Sequence, residues 1–384
     1  MHYIALQMLF GDRGKYLAMV ISITFAALIM TQQPSIFFGL MSRTYSFLSD
    51  TSGPDIWVMD PGVKFVEEHK PMRDTELGRV RGIPGVKWAA PMYKALLTAK
   101  LPDGQTATIN MTGIDDATMI GAPPEVIEGS LYDLRKADSV IIGKEASINR
   151  LSIKLPDGST RPLGIGDVIE INDKRAVVSA IAKVSRDFTL QAQVYTTYSR
   201  AIGFAAANRR KLTYVLVKAK EGVDHHELAA RIEHMTGLKA MTGKDFQDKT
   251  YNYWMDNTGI PINFGMSTLF GVIIGIIVTG QSFYNFVREN LTQYAAIKAM
   301  GLTSERLVGM VLLQALIVGL IGYGLGVGLA TVFGLNFVDA TLAFLMEPKI
   351  LLFSGVGVFL IVSVTAVIAI RQVIKVDPAV VFRG

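Results

Sequence analysis

The sequence contains no cysteine, which removes disulfides, thiolate metal ligands and cysteine nucleophiles. It is also short of charge. Only 18% of its 384 residues are Asp, Glu, Lys or Arg, against about a quarter in a soluble domain. The deficit is local: four stretches, 16–42, 257–287, 307–338 and 350–370, hold no charged residue at all. None of them carries a mid-stretch ionisable group of the kind a carrier driven by its own ion site uses. No G-x-x-x-x-G-K-[ST] is present to cradle ATP phosphates, and no G-x-S-x-G nucleophile elbow. No carboxylate pairing suggests hydrolysis, so no catalytic residue is expected.

What is present points to a membrane. Each uncharged stretch reaches the ~20 residues that cross a hydrocarbon core of ~30 Å. The first is interrupted by Thr31-Gln32-Gln33-Pro34; it is longer than a signal-peptide core and has no A-x-A site after it, so it reads as an uncleaved anchor. Pro34 and Pro261 are expected where the first two spans bend or stop. The net charge of +5 and pI of about 9.1 reflect basic residues beside the apolar stretches, not a nucleic-acid surface. Arg13, Lys15, Arg288, Lys298, Arg306, Arg371, Lys375 and Arg383 flank them, whereas the turn between the third and fourth holds Asp339, Glu347 and only Lys349. The positive-inside rule then gives a multi-pass chain with both termini cytoplasmic. Its expected parts are a cytoplasmic N-terminal segment 1–15, spans 16–42, 257–287, 307–338 and 350–370, an extracytoplasmic domain 43–256, a cytoplasmic segment 288–306, a short outer loop 339–349 and a cytoplasmic tail 371–384. Pairs of glycines four apart, Gly271/Gly275, Gly322/Gly326 and Gly324/Gly328, predict close helix packing.

The region 43–256 reads as mixed α/β, and its roughly 210 residues suffice for a core without disulfides. "LLTAKLPDGQTATINM" alternates around Pro102-Asp103-Gly104 and predicts a hairpin. "DVIEINDKRAVVSAIAKV" predicts two strands around Asn172-Asp173. "LTYVLVK" predicts a strand, followed by a helix that Gly237 closes. The spacing of His225, His226, Glu227 and His234 does not suit a metal and reads as a solvated helix face. Tyr45, Phe47, Tyr251, Tyr253 and Trp254 are expected to form an interfacial aromatic belt against membrane lipid.

The most informative stretch is "FVRENLTQYAAIKAMGLTSERLVGM", which leaves the second span and enters the third. Leu291, Tyr294, Ala295, Lys298 and Ala299 recur at helical spacing. Gly301 should stop that helix, and Thr303 or Ser304 should cap the next. A short surface helix between two spans is well placed to receive a push from a cytoplasmic partner.

"RENLTQYAAIKAMGLTSERL" resembles the R-E-x-x-x-x-K/R-A-x-G-x-x-x-x-x-I/L segment of FtsX-like, MacB-type ABC transporter permeases, and "RQVIKVDPAVVFRG" resembles their closing R-x-x-x-x-x-D-P-x-x-x-x-R. The wording around Tyr-Ala-Ala-Ile-Lys-Ala-Met-Gly is nearest the DevC-like branch. The motifs span about 35 residues; the order of one span, a large domain and three spans fits throughout. The resemblance implies four transmembrane helices with an inserted MacB-like periplasmic core domain, working as a homodimer in a bacterial inner membrane. ATP would be bound by a separate ABC ATPase subunit, with a periplasmic adaptor and a TolC-type outer-membrane channel as further partners. Glu289, Lys298, Ala299 and Gly301 match the coupling motif, with Tyr294, Ile297 and Met300 as an apolar knob for the ATPase; Asp377, Pro378 and Arg383 match the tail motif. The implied function is ATP-driven mechanotransmission that exports cargo from the outer side. The alternatives are an FtsX-like transducer acting on an external enzyme and a lipoprotein-releasing permease.

Overall fold

The computed structural model describes residues 2–206, 211–337 and 342–375. The tail residues Asp377, Pro378 and Arg383 lie outside the described residues. The chain divides into two compact units: Met1–Leu40 with Thr258–Gly384, and Met41–Asn257. In chain order the elements are α1 (His2–Gly11), α2 (Arg13–Arg43), α3 (Ser46–Asp50), β1 (Ile56–Met59), α4 (Thr75–Arg81), β2 (Val86–Lys100), β3 (Thr106–Ile114), β4 (Glu125–Glu128), β5 (Ser139–Gly143), α5 (Lys144–Ile148), β6 (Ile153–Lys154), β7 (Thr160–Arg161), β8 (Val168–Ile171), β9 (Lys174–Lys183), β10 (Ala192–Thr197), α6 (Tyr198–Phe204), β11 (Tyr214–Ala219), α7 (His225–Thr236), β12 (Lys239–Thr242), α8 (Gly243–Asn257), α9 (Ile260–Glu289), α10 (Leu291–Ala299), α11 (Ser304–Phe337) and α12 (Pro348–Ile374).

In the first unit, α2, α9, α11 and α12 are long and apolar enough to cross a membrane. Their outward faces carry Ile262, Phe270, Ile277, Leu320, Leu352 and Phe359, which in lipid is favourable exposure, since every helical N–H and C=O is satisfied within the helix. α12 packs along both α9 and α11, and α2 lies against glycines of the same two helices. Ile29 and Ala26 lie against Gly271 and Gly275 of α9, and Ile23, Thr24 and Ala27 lie against Gly322 and Gly326 of α11. A Cβ on Gly326 would sit 2.5 Å from the Ala27 Cβ, so only glycine permits that approach. Gly324 and Gly328 point into open space. The first span does not stop at Pro34: α2 continues through it to Arg43. One lost N–H is tolerated where neighbours hold the turn; here the Ser35 hydroxyl donates to the Thr31 carbonyl at 2.7 Å, and the Leu345 N–H donates to the Ser35 carbonyl at 2.9 Å. Pro261 falls in the first turn of α9, where its missing N–H costs nothing.

The second unit is built on a ten-stranded sheet in the order β12-β1-β11-β2-β3-β10-β5-β9-β4, with β8 pairing to β2 and β9. β6 and β7 form a separate ribbon. β3–β10 and β5–β9 are parallel and the other pairings antiparallel. The 15-residue β2 runs through two lobes. One lobe packs α4 and α7 on β1, β11 and β12 around Ile56, Val215, Val217, Leu228 and Ile232. The other packs β3, β5, β9 and β10 around Ile109, Met111, Val140, Val178 and Val194.

The expected hairpins are present. Leu97 pairs with Ile109 across the Pro102-Asp103-Gly104 turn, and Ile171 pairs with Lys174. Asn172 and Asp173 have φ of 46° and 63°, the paired left-handed residues of a two-residue hairpin that follows strand twist. Asp224 caps α7 by accepting from the His226 and Glu227 N–H groups, and Gly237 closes it at φ 73°.

Candidate functional site

α9 ends at Glu289, and Asn290 turns the chain by donating from its side-chain amide to the Phe286 carbonyl at 2.7 Å. α10 then lies on the bundle. Tyr294 and Ala295 are fully buried. The Tyr294 hydroxyl donates to Gln314 Oε1 on α11 at 2.9 Å, and Gln314 Nε2 donates to the Ala5 carbonyl of α1 at 2.8 Å. One buried tyrosine–amide–carbonyl relay therefore ties α10, α11 and α1 together. A buried hydroxyl and amide satisfied in this way fix one arrangement, because any slip leaves a polar group unpaired.

The exit from α10 is a Schellman motif. The Leu302 N–H reaches the Ile297 carbonyl at 3.4 Å and the Gly301 N–H reaches that of Lys298 at 3.0 Å. Gly301 has φ +94°, a conformation glycine adopts without strain. Leu302 and Ile297 both pack on the bundle, the apolar contact that accompanies this cap. The Arg306 and Leu307 N–H groups then donate to the Thr303 carbonyl, starting α11.

The seven residues expected to contact a motor divide into two sets. Met300 is 79% exposed, Ala299 is exposed and Glu289 is about half exposed, paired with Lys15. Lys298 donates to the Ile374 carbonyl of α12 at 3.3 Å. The expected three-residue knob is corrected: Tyr294 faces inward and Ile297 is half-buried against the bundle, leaving Met300 as its solvent-facing member. The amphipathic stripe of α10 is its protein-facing side.

α1 was not anticipated as a helix. Its Ala5, Met8 and Leu9 join the bundle core while Tyr3 and Phe10 are exposed. An open cleft of about 770 Å³ separates it from α10, lined by Ile4, Met8, Lys15, Glu289, Gln293 and Ile297. The i, i+3, i+4 spacing of Ala5, Met8 and Leu9 is the signal that could have revealed it. Among the described residues, no group of three or more His, Cys, Asp and Glu side chains is arranged to hold a metal. His226 is exposed, pairing with Asp245 at 3.3 Å.

Four helices of spanning length, a large α/β unit inserted between the first and second, and a pinned surface helix between the second and third define a multi-pass membrane protein with a large non-membrane unit. Residues 16–235 match the MacB-like periplasmic core domain and residues 265–378 the FtsX-like permease C-terminal domain. The chain belongs to the FtsX-like, MacB-type ABC transporter permeases. It is 23% identical over 358 residues to the uncharacterized ABC transporter permease Rv0072 of Mycobacterium tuberculosis, covering 87% of this chain and 86% of that one. Over 176 residues it is 27% identical to HrtB of Staphylococcus haemolyticus, named as a hemin transport system permease protein, covering 46% and 47%. Among solved structures, the periplasmic region of MacB from Actinobacillus actinomycetemcomitans aligns with TM-score 0.38 at 12% identity, covering 53% of this chain and 96% of that one. Permease membership implies an ATP-hydrolysing partner.

Proposed function

We propose that this chain is the permease subunit of an ABC exporter working by mechanotransmission. A separate ATPase pushes on α10, and the helices carry the displacement to the α/β unit, which drives cargo outward. In this reading two copies pair in the inner membrane with both termini cytoplasmic, as the basic flanks favour. The chain sits in the DevC-like branch, served by an adaptor and a TolC-type outer-membrane channel. ATP stays in the partner, and the permease itself carries out no catalysis. Glu289, Lys298, Ala299, Met300 and Gly301 form the contact with the motor, and the Asp377, Pro378 and Arg383 tail holds the C-terminus at the membrane.

The observation that carries the proposal is the rigid mounting of α10: a helix that must pass on a push needs to be fixed to its spans, and the Tyr294–Gln314–Ala5 relay fixes it. Met300→Glu tests it. The side chain is exposed, so stability should stay within about 0.5 kcal/mol, while affinity for the ATPase should fall roughly tenfold or more as a charge enters an apolar contact. ATPase co-purification unchanged from the parent would remove Met300 from the contact. The likeness to HrtB makes hemin the first cargo to test, by comparing hemin sensitivity of cells with and without the chain.

A further inference from the structure

The α/β unit holds a fully buried charged side chain. Lys94 lies in the middle of β2 and is 1% exposed. Its ammonium sits 3.7 Å from Glu67 Oε1 and 3.7 Å from the centre of the Phe47 ring. It has no hydrogen-bond partner among the described residues. On the same sheet face, Asn110 of β3 donates through Nδ2 to Glu67 Oε2 at 2.8 Å and to Asp187 Oδ2 at 3.4 Å. Gln193 of β10, opposite Asn110 in register, donates to Asp187 Oδ2 at 2.8 Å. His69 faces Glu67 at 3.4 Å. One cation thus stands beneath two carboxylates, and those carboxylates come from two loops, 60–72 and 184–191, that are otherwise unrelated in sequence.

The same loops receive the ends of the insertion. α3 follows α2 by two residues, and α8 ends two residues before α9 begins. From α3, Phe47 covers Lys94; Asp50 accepts from the Ser185 N–H at 2.7 Å and from its hydroxyl at 2.8 Å; Ser46 donates to the Arg186 carbonyl at 3.1 Å. From α8, Lys249 donates to the Val63 carbonyl at 2.6 Å, Thr250 accepts from the Val66 N–H at 3.2 Å, and Tyr253 stacks on Phe65 at 4.7 Å. Both segments contiguous with the first two spans therefore grip loops that are fastened to the sheet at this buried cluster; the Tyr214 hydroxyl of β11, donating to the Val66 carbonyl at 2.7 Å, and the packing of Phe47 and Phe246 around Trp57 of β1 are further ties. Arrangements that merely fill a core use apolar side chains. A buried ion pair adds little net stability but is costly to break on one side only, which suits a joint that must hold under load.

We infer that Lys94, with Glu67, Asp187 and Asn110, is a latch that makes α3 and α8 move the central sheet as one body; the inference rests on the mechanotransmission reading. Without the latch only these further ties would pull on the sheet, and they yield more readily, so ATP turnover would continue and the outer unit would respond less.

The chain lacks cysteine, so engineered thiols can be labelled selectively. Spin labels at Thr106→Cys in the α/β unit and Lys349→Cys in the helical unit, both exposed positions, report an ATP-driven distance change in the complex with its ATPase. Lys94→Met should reduce that change to about a third or less of the parental amplitude, with ATP turnover within about twofold. Adding Glu67→Gln should recover stability, because the stranded carboxylate is then gone, but not the distance change, because both halves of the joint are missing. Asp50→Ala, which removes the half-buried acceptor of the Ser185 N–H and hydroxyl, should reduce the response with only a modest fall in melting temperature, and it decides the matter if Lys94→Met does not fold. A parental response in Lys94→Met and Asp50→Ala overturns the latch and leaves the mechanotransmission reading standing. So does a parental response in the Lys94→Met, Glu67→Gln double variant, which would trace the single variant's defect to the stranded Glu67 charge and not to a lost joint. A parent whose labels ignore ATP overturns both.

Discussion

Tyr294 and Gln314 meet at 2.9 Å, hydroxyl to amide oxygen, with both side chains fully buried. This contact holds the helix between the second and third spans on the third span itself. Tyr294→Phe keeps the ring and removes the donor, leaving a buried amide oxygen unpaired, at a cost of about 1–3 kcal/mol. Thermal unfolding of the detergent-solubilised chain measures it. In a double-mutant cycle with Gln314→Leu the second change should cost less in the Tyr294→Phe background than alone, by about 0.5–3 kcal/mol. Strict additivity would mean that the pair does not interact.

Gly301 offers a separable test of the turn that follows. Its φ of +94° is left-handed, and an added Cβ would meet nothing within 4 Å. Any cost of substitution is therefore backbone strain, not a clash. Gly301→Ala should lose about 1–2 kcal/mol, whereas Gly301→Asn should lose less, because asparagine tolerates this region. Gly301→Pro should do more than destabilise: in the complex it should uncouple ATP hydrolysis from movement of the α/β unit. Equal losses for alanine and asparagine would show that the turn's geometry is not what sets the cost.

These turns were readable in advance because their chemistry is local. Asn172-Asp173, Gly237 and Gly301 each mark a backbone conformation that few residues accept. The spans were readable because twenty uncharged residues have few other uses. What sequence hid were contacts between distant segments. Periodicity revealed that α10 has an apolar stripe but not whether the bundle or a partner covers it, so Tyr294 read as a knob and proved to be a pin. Phe47 read as part of an interfacial belt, yet it is 5% exposed and lies over Lys94. Lys94 itself carried no signal, since a lysine in an alternating strand normally faces water and its carboxylate partners lie in remote loops.

The charges around Lys94 also set a dependence on pH. Burial opposes ionisation of Glu67, but the Lys94 charge, His69 and the Asn110 amide outweigh it and hold its pKa at about 2, below the ordinary 4.5. Stability from this group is complete above about pH 4.5 and is lost as pH falls towards 2. Burial lowers His69 below its ordinary 6.5 despite Glu67, so the unfolded chain takes up that proton first and stability falls as pH drops below 6.5. Burial and Glu67 raise Asp187; its protonation on acidification relieves a cost and partly offsets the other two. The melting temperature of the parent should therefore decline as pH is lowered from 6.5. Glu67→Gln should remove the Glu67 contribution below about 4.5, while the decline that starts at 6.5 persists and runs to lower pH, because His69 loses the carboxylate that held it up. An unchanged profile in that variant would place the acid sensitivity elsewhere.

The glycines of α11 divide by what each would strike, and that division is measurable. A Cβ added at Gly326 would meet the Ala27 Cβ and the Thr24 carbonyl at 2.5 and 2.7 Å, while one added at Gly324, two residues earlier, would meet nothing within 4 Å. Replacing glycine by alanine within an exposed helix gains about 1 kcal/mol of propensity. At Gly324 that gain should appear undiminished. At Gly326 overpacking against backbone should outweigh it, for a net loss of about 1–3 kcal/mol, because α2 cannot withdraw without opening its contacts with α9 and α12. Both variants share the same helix, the same chemistry and the same apolar surroundings, so a difference between them isolates the α2 contact. A loss at Gly324 matching that at Gly326 would mean that the open face is covered in the intact assembly.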